Sequence, residues 1–267
     1  MEARKQQERQ FHDFLRSDDL KRDKTLHQYY TSNCKYYAID RANRSFCEEW
    51  LRERCPNKRV LDYCCGEGDY SVIAAKYGGC TVGIDISDIS VRKCVERAKR
   101  EGYDAKTSFM IMDAEELKFD DDSFDIIICA GVLHHLDLAR AFSELARVVK
   151  PDGEIICMEA LRHNPLIQLY RRLTPHLRTP YEINHILGMK DVHLSRSFFR
   201  KIEVRFFHLA TLLAIPFRNL PIFPSLLSLL EKIDGLLLKN SWFQKQAWMV
   251  TFILSEPIKE NRSQITL

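Results

Sequence analysis

The stretch VLDYCCGEGDYS, residues 60–71, joins a short apolar run to a glycine loop and then to the start of a helix. The apolar run at 60–63 predicts a buried strand with Asp62 near its end. Gly66 and Gly68 allow positive φ angles and let the backbone approach a ligand closely. In open parallel sheets, ligands bind beyond the carboxyl ends of the strands. The stretch therefore predicts the first strand of an α/β domain, with a ligand site at its end.

Strand-like and helix-like segments alternate after this loop. Further strands are predicted at residues 80–84, 108–112, 125–130, 154–158, 198–207 and 248–254. Helices are predicted at residues 71–77, 89–101 and 139–149. Alternation at this spacing indicates a parallel sheet with helices on both faces. We therefore expect an α/β protein with a doubly wound, seven-stranded, mostly parallel sheet of the Rossmann-like kind.

The chain divides into three parts. Residues 1–55 are predicted to form a helical lid segment, 56–160 the ligand-binding core, and 161–267 a substrate-side region. The last part contains an apolar, proline-interrupted insert at about 209–246, before the final strand. Arg218 lies at the middle of residues 207–229, which contain no other Asp, Glu, Lys or Arg, and it argues against a membrane span, so short helices are expected. The insert is interpreted as a lid, a dimer interface or a membrane-surface anchor, with core packing as the plain alternative.

Composition limits the partners and the location. The 267 residues carry a formal net charge of +3, which is too small to indicate nucleic-acid binding. The nine cysteines are odd in number and show no C-x-x-C spacing, so reduced thiols are expected and a zinc site is not. The charged N-terminus has no apolar signal segment. We expect a cytoplasmic protein, with peripheral membrane contact through the insert as one of the open interpretations.

Acidic residues end several predicted strands, and the carboxyl ends of parallel strands meet at one edge of a sheet. The residues expected to line this crevice are Asp62, Gly66, Gly68, Asp85, Asp113 and Ala130. Asp85 is placed to accept both hydroxyls of a ribose, and Asp113 to accept an amino proton of adenine. Asp62 and Glu67 favour a ligand with an ammonium and a sulfonium group over a pyrophosphate.

Five motifs follow one another between residues 60 and 161: VLDYCCGEG, GIDIS, MDAEEL, FDIIICAGVLHHL and ARVVKPDGEIICMEAL. In this order they resemble the class I S-adenosylmethionine-dependent methyltransferases, in particular the type 11 group. The following NPLIQLYRRLTPHLRT resembles a subgroup that acts on small molecules. The resemblance implies the methyltransferase form of the Rossmann-like sheet, with S-adenosylmethionine as cofactor and S-adenosylhomocysteine as product.

The resemblance also implies roles for individual residues. Gly66 and Gly68 would contact the methionine part of the cofactor, Asp85 the ribose and Asp113 the adenine. One departure is Cys64, which stands where the family usually has glycine. The full set expected to bind the cofactor is Asp62, Tyr63, Cys64, Gly66, Gly68, Asp85, Ile86, Asp113, Ala114, Glu115, Cys129 and Ala130.

Methyl transfer needs a base when the acceptor must lose a proton. Glu159 ends the fifth predicted strand in an apolar run and is a candidate general base or substrate anchor. His134 and His135 follow the fourth strand, and histidine titrates near neutrality. His134 is favoured over His135. The alternatives are a cap or ion pair for Glu159 and simple packing for the histidines.

Aromatic and basic residues outside the core are candidates for acceptor binding. Ring faces can stabilise a cation-like transition state, and arginine forks suit carboxylates and phosphates. The expected substrate contacts are Tyr29, Tyr37, Asn164, Arg171, Arg172 and Arg178. Ordinary helix packing and a solvated basic face are the alternatives. Together with the apolar insert, the set predicts O- or C-methylation of a small, lipophilic or amphiphilic acidic molecule.

Other function classes remain open. A non-catalytic module that retains the cofactor pocket would show the same crevice residues. An NAD-dependent oxidoreductase is disfavoured, because Ser71 replaces the last glycine of G-x-G-x-x-G and the loop is acidic. A homo-oligomer is compatible with the apolar insert.

Overall fold

The structure is a computed structural model that describes residues 2–259. One seven-stranded sheet, in the order β3-β2-β1-β4-β5-β7-β6, forms its centre. The strands are β1 (Arg59–Tyr63), β2 (Cys80–Asp85), β3 (Thr107–Ile111), β4 (Phe124–Ala130), β5 (Val149–Ala160), β6 (Phe199–Phe207) and β7 (Met249–Pro257). Strands β1 to β5 are parallel, whereas β7 is antiparallel to both β5 and β6. The predicted fold class is confirmed.

Helices cover both faces of the sheet. The α-helices are α1 (Ala3–Arg16), α2 (Asp18–Arg22), α3 (Lys24–Tyr30), α4 (Arg41–Arg54), α5 (Asp69–Lys76), α6 (Asp88–Glu101), α7 (Leu138–Val148), α8 (Pro165–Leu173), α9 (Pro180–His185), α10 (Met189–Leu194), α11 (Phe223–Leu237) and α12 (Ser241–Gln244). Short 3₁₀ segments lie at Ser32–Ile39, Asp104–Lys106, Leu133–His135, Pro175–Leu177, Ser195–Ser197 and Ala210–Phe217.

The central strand β4 explains how the core is divided. Successive side chains of a strand point to opposite faces of the sheet. Ile127 packs into the apolar cluster that contains Phe142 of α7, while Ile126 and Ile128 pack into the cluster that contains Trp50 of α4. All three isoleucines are buried. An unbroken apolar run is therefore required here, since helices cover both faces.

The main local difference from the sequence prediction lies at β5. The strand begins at Val149, five residues before the predicted start, and Val149 pairs with Phe124 across an irregularity in the register. Pro151 ends the helical pattern, as expected, but the chain enters the sheet before it reaches this proline. From Glu154 to Ala160, this long strand also pairs with β7 in the antiparallel direction.

The insert folds as the 3₁₀ segment Ala210–Phe217, the 15-residue helix α11 and the short helix α12. Helix α11 is longer than the short helices expected, because Pro224 lies in its first turn, where proline is tolerated. Within residues 2–259, no helix is both long and apolar enough to cross a membrane.

The buried carboxylate of Asp234 in α11 anchors the insert. It accepts hydrogen bonds from the backbone amides of Leu209 (3.2 Å), Ala210 (2.5 Å) and Thr211 (3.3 Å), and from the Thr211 hydroxyl (2.8 Å). One side chain thus caps the start of the 3₁₀ segment. Buried donors that lose their acceptor are costly.

We expect Asp234→Ala to lower the free energy of unfolding by about 3 kcal/mol, because several buried donors would lose their acceptor. Urea denaturation followed by circular dichroism measures the change. Asp234→Asn is the matched control, since it retains one carbonyl oxygen and should lose less. An alanine variant as stable as the parent would show that water replaces the carboxylate at no cost.

Candidate active site

A cavity of about 560 Å³ lies at the carboxyl ends of β1 to β4. Nine of the residues predicted to bind the cofactor line it: Asp62, Cys64, Gly66, Asp85, Ile86, Asp113, Ala114, Glu115 and Ala130. Three others lie behind its wall. Gly68 continues the loop, Cys129 is fully buried, and the Tyr63 hydroxyl donates to the carbonyl of Ala114 at 2.6 Å. The strand-end residues therefore meet at one crevice.

The glycine loop holds its shape through positive φ angles. Gly66 and Gly68 have φ values of 56° and 78°, and Cys64 has a φ of 60°. This region is uncommon for a residue with a side chain, and glycine adopts it freely. The departure noted at Cys64 thus falls on a position whose backbone conformation favours glycine. The amide of Gly66 donates to the Asp85 carboxylate at 3.0 Å, which ties the loop to β2.

Two buried carboxylates face the cavity beside this loop. The hydroxyl of Ser71 donates to Asp62 at 2.5 Å, and burial raises the pKa of Asp62 to about 7. Asp85 also accepts from the amide of Ser87 at 2.9 Å. Burial raises the pKa of Asp85, although the Arg16 guanidinium opposes the shift. A cation in the cavity would stabilise both carboxylates in their charged form.

Helix α1 covers the crevice with polar and charged side chains. Lys5, Glu8, His12 and Arg16 all line the cavity, and their spacing places them on one face of the helix. Lys5 lies 2.8 Å from Asp113. Sequence reasoning missed these contacts, although the three- and four-residue spacing of the charges was a usable signal.

Further ion pairs fix α1 at both walls of the crevice. Lys5 also lies 3.0 Å from Glu115, and Arg4 lies 2.6 Å from the same carboxylate. Glu8 lies 2.9 Å from Nδ1 of His135, in the loop that follows β4. Asp113 and His135, both predicted site residues, are therefore engaged by α1.

A second, smaller cavity of about 90 Å³ adjoins the first. Its lining residues are Asn33, Tyr36, Tyr37, His134, Ala160, Ile167, Tyr170, Arg171, Arg178, Glu182, Ile186 and Trp248. Tyr37 lines both cavities, which explains why it is 54% exposed although it lies inside the molecule. Burial raises the pKa of Tyr37 to about 12, so this hydroxyl stays protonated near neutral pH.

Glu159 and His134 form a hydrogen-bonded pair at this second cavity. The fully buried carboxylate of Glu159 accepts from the amides of Val132 (2.8 Å) and Leu133 (2.7 Å) and lies 2.7 Å from Nδ1 of His134. With the proton on Nδ1, the Nε2 atom is left as an acceptor, 4.0 Å from Glu182. His134 therefore lines the cavity, and Glu159 orients it from behind.

The electrostatics of this pair favour a basic imidazole. Burial acts to lower the pKa of His134, but the Glu159 carboxylate outweighs this effect, and Glu182 acts in the same direction. The pKa of His134 therefore lies above its usual value, with Arg171 as an opposing charge. A base of this kind can take up a proton near neutral pH.

Three of the six predicted substrate residues line the second cavity: Tyr37, Arg171 and Arg178. Arg171 donates to the carbonyl of Leu161 at 2.9 Å. Burial, with a smaller effect of Arg178, lowers the pKa of Arg171 to about 10. Arg178 lies 3.4 Å from Glu182. An anionic ligand in the cavity would restore the charge balance around Arg171.

The other three have different positions. Asn164 caps α8 by accepting from the amides of Leu166 and Ile167, both at 3.1 Å. Arg172 is exposed and lies outside the walls of both cavities. Tyr29 stacks on His176 with 3.9 Å between the ring centroids, also away from these walls.

Aromatic rings form the apolar wall of the second cavity. Tyr36 packs against Tyr170 and Trp248, with centroid distances of 4.7 Å and 5.6 Å. In the part of the chain that is described, the buried hydroxyl of Tyr170 has no hydrogen-bond partner. Sequence reasoning missed Tyr170 and Trp248, because only the tertiary fold brings them together.

A comparison with known protein families identifies a family that the central part of this chain resembles. Residues 61–157 match the family model described as a methyltransferase domain. We call these matching residues the methyltransferase domain. The predicted resemblance to the type 11 methyltransferases is thereby confirmed. The domain contains the strand-end acids, the glycine loop and the histidines after β4.

Curated relatives are similar to a little under half of this chain. A demethylmenaquinone methyltransferase of Bacteroides fragilis is 33% identical over 125 residues, which cover 46% of this chain and 51% of the relative. A ubiquinone/menaquinone biosynthesis C-methyltransferase of Geotalea daltonii is 32% identical over 127 residues, with shares of 46% and 54%. The chain thus spans about half the length of the curated relatives it matches.

Solved structures support the fold. The PH0226 protein of Pyrococcus horikoshii aligns with a TM-score of 0.56 and 21% identity, covering 83% of this chain and 91% of that one. A geranyl diphosphate C-methyltransferase of Streptomyces coelicolor aligns with a TM-score of 0.53 and 14% identity, covering 80% of each chain. The methyltransferase domain and the flanking strands therefore share one architecture with these proteins.

Lys5→Glu should loosen α1 from the methyltransferase domain, because a carboxylate would then face Asp113 and Glu115. We expect the amides of residues 3–16 to exchange hydrogen at least about tenfold faster, measured by mass spectrometry. Lys24→Glu on the exposed side of α3 makes the same charge change and should leave this exchange unaltered. Equal exchange in all three proteins would mean that ion pairs do not hold α1 in place.

Proposed function

We propose that this chain transfers a methyl group from S-adenosylmethionine to a small, lipophilic acceptor that carries a negative charge. The observation that carries the proposal is the row of carboxylates at the strand ends, which opens through Tyr37 onto an aromatic cavity that holds His134. The first cavity would bind the methyl donor and the second the methyl acceptor.

The residues of the first cavity fit the donor. Asp62 and Asp85 present desolvated carboxylates, which favour a ligand with an ammonium and a sulfonium group. Asp85 would hold the ribose hydroxyls, and Ala114 would lie against the adenine. When bound, S-adenosylmethionine supplies a methyl group that is already activated. The chain therefore contributes mainly proximity and alignment.

The smaller cavity fits an acceptor with an aromatic or lipophilic body and an anionic group. Tyr36, Tyr170 and Trp248 provide ring faces, while Arg171 provides a buried cation. The Tyr170 hydroxyl would find its missing partner in a polar group of the acceptor. The curated relatives are named for demethylmenaquinone and for ubiquinone/menaquinone biosynthesis, which supports a lipophilic ring compound.

His134 would take the acceptor proton at Nε2. Glu159, like the two histidines, is a candidate base, but its fully buried carboxylate already accepts hydrogen bonds from two backbone amides and lies against the His134 ring. We therefore assign Glu159 as a positioning residue that fixes the tautomer and raises the basicity of His134. The same pair serves O-methylation, by removing a hydroxyl proton, and C-methylation, by removing a ring proton after transfer.

We place the reaction in the cytoplasm. All nine cysteines are free, and six of them are buried. Burial raises the pKa of several of these thiols, Cys47 and Cys55 among them. Such thiols behave as small apolar side chains, which suits a reducing compartment.

Arg171→Ala should raise KM for the acceptor at least about tenfold, because a desolvated charge-assisted contact is worth about 1.5–3 kcal/mol. Arg172→Ala is the matched control, since this neighbouring side chain is exposed. Its KM should stay unchanged. Steady-state kinetics with a demethylmenaquinone analogue as the acceptor measures both values. Equal KM values for the two variants would remove Arg171 from the acceptor site.

The acidic limb of the pH profile of kcat/KM should reflect the protonation of His134. Activity should fall as the pH drops through the pKa of His134, which lies above its usual value. Glu159→Gln removes the charge that raises this pKa, so the limb should move to lower pH while kcat falls. His134→Asn should abolish the limb.

Glu203→Gln, on the exposed side of β6, is the control for this measurement and should leave the profile unaltered. An unchanged limb in Glu159→Gln would contradict the positioning role. A limb that persists in His134→Asn would contradict the assignment of the base.

A further inference from the structure

We propose that the outer face of the insert docks on an anionic membrane surface. We call this surface the insert face and define it by six apolar and three basic residues. They are Leu213, Phe217, Leu220, Ile222, Leu229, Leu236, Arg218, Lys232 and Lys239. The inference goes beyond the proposed reaction and does not depend on it.

Helix α11 presents one apolar stripe to the outside. Ile222, just before the helix, and Leu229 and Leu236 within it recur every seven residues and are 58%, 57% and 68% exposed. Seven residues are close to two helical turns, so these side chains lie on one face. The opposite face of α11 carries Leu227 and Leu230, which are buried against the sheet-side core. The stripe is therefore additional to the residues that hold the helix in the fold.

The segment before α11 extends the apolar surface. Leu213 and Phe217 of the 3₁₀ segment and Leu220 of the connecting turn are all exposed. Residues beside them, Leu212 and Ile215, are buried in the same cluster as the inner face of α11. Exposed apolar side chains that cluster in this way mark an interaction surface, whereas isolated ones are common on any protein.

The charges on the insert decide what this surface binds. Residues 209–246, all of which the structure describes, contain two acidic residues. Glu231 is ion-paired with Arg41 of α4, and Asp234 is buried. The exposed charges are those of Arg218, Lys232, Lys239 and Lys245. Apolar side chains mixed with basic ones only are typical of helices that lie in the interface of anionic lipids.

The same charges argue against a second copy of this chain as the occupant. A twofold dimer would bring the same surface of both subunits together. Lys232 and Lys239 would then face like charges, without acidic partners from the insert. Anionic lipid headgroups supply the missing negative charge.

One apolar cluster separates the insert face from the smaller cavity. The apolar cluster under it contains Ile167 and Trp248, and Tyr36 packs against this cluster. The same three residues line the smaller cavity. If the proposed function holds, a lipophilic acceptor dissolved in the membrane would have a short apolar route to His134.

Vesicle co-sedimentation of the full chain, without donor or acceptor, tests the inference. The probes are vesicles of phosphatidylcholine alone and vesicles of equal parts phosphatidylcholine and phosphatidylglycerol. We expect binding to the second kind only, and at least about a tenfold weaker partition for the double variant Leu229→Glu/Leu236→Glu. Ala105→Glu/Ser108→Glu adds the same charge at the opposite edge of the sheet and should bind like the parent.

Two results would overturn the inference. One is an equal partition of the parent and the Leu229→Glu/Leu236→Glu variant. The other is a parent that ignores vesicles but self-associates in sedimentation velocity through the same two leucines, which would assign the insert face to a second copy. Thermal unfolding of each variant verifies that the fold is retained. Because no methyl transfer is measured, failure of this test is separate from failure of the proposed reaction.

Discussion

The site depends on burying carboxylates at the tips of neighbouring parallel strands. Parallel pairing of β1 with β2 and β4, and of β2 with β3, brings Asp62, Asp85 and Asp113 to one edge of the sheet. Water is largely removed from Asp62 and Asp85, which makes their negative charge costly unless hydrogen bonds or a cation compensate it. The fold therefore favours a cationic ligand, which would compensate the negative charge of these two carboxylates.

Two other regions of the chain complete the site in different ways. Helix α1 brings Lys5 to Asp113 and Arg16 beside Gly66, so part of the compensation is internal. The antiparallel end of the sheet contributes to the smaller cavity. There β5 supplies Glu159, and the amide of Leu161 donates to the carbonyl of Trp248 at 2.7 Å, just before β7. Strand β5, which pairs with both β4 and β7, therefore connects the charged crevice to the smaller, aromatic cavity.

The larger cavity could be predicted from sequence because its signals are local. A strand end, a glycine loop and an acidic residue occupy a few consecutive positions, so Asp62 and Asp85 were found from spacing alone. The parallel arrangement of the first five strands followed from the alternation of strands and helices, whereas their order in the sheet did not. Even the unusual Cys64 was recognisable as a departure, and the structure supplies the reason in its positive φ.

The smaller cavity could not be predicted in the same way, because it is built from distant segments. Arg171 and Arg172 look equivalent in the sequence, yet helical geometry turns one inward and the other to solvent. Trp248 reaches Tyr36 only through the antiparallel return of β7. Glu159 was correctly placed at a strand end, but only the hydrogen bonds to the loop after β4 reveal that it orients His134.

The central claim is that the buried strand-end carboxylates bind a cationic, adenosine-containing methyl donor. Isothermal titration of the full chain with S-adenosylmethionine, S-adenosylhomocysteine and NAD tests it most directly, with Asp85→Asn as the site variant and the exposed Asp120→Asn as its control. We expect binding of the first two ligands and none of NAD. We also expect an affinity loss of about tenfold or more for Asp85→Asn alone. Binding of NAD in their place, or equal affinities in the two variants, would contradict the central claim.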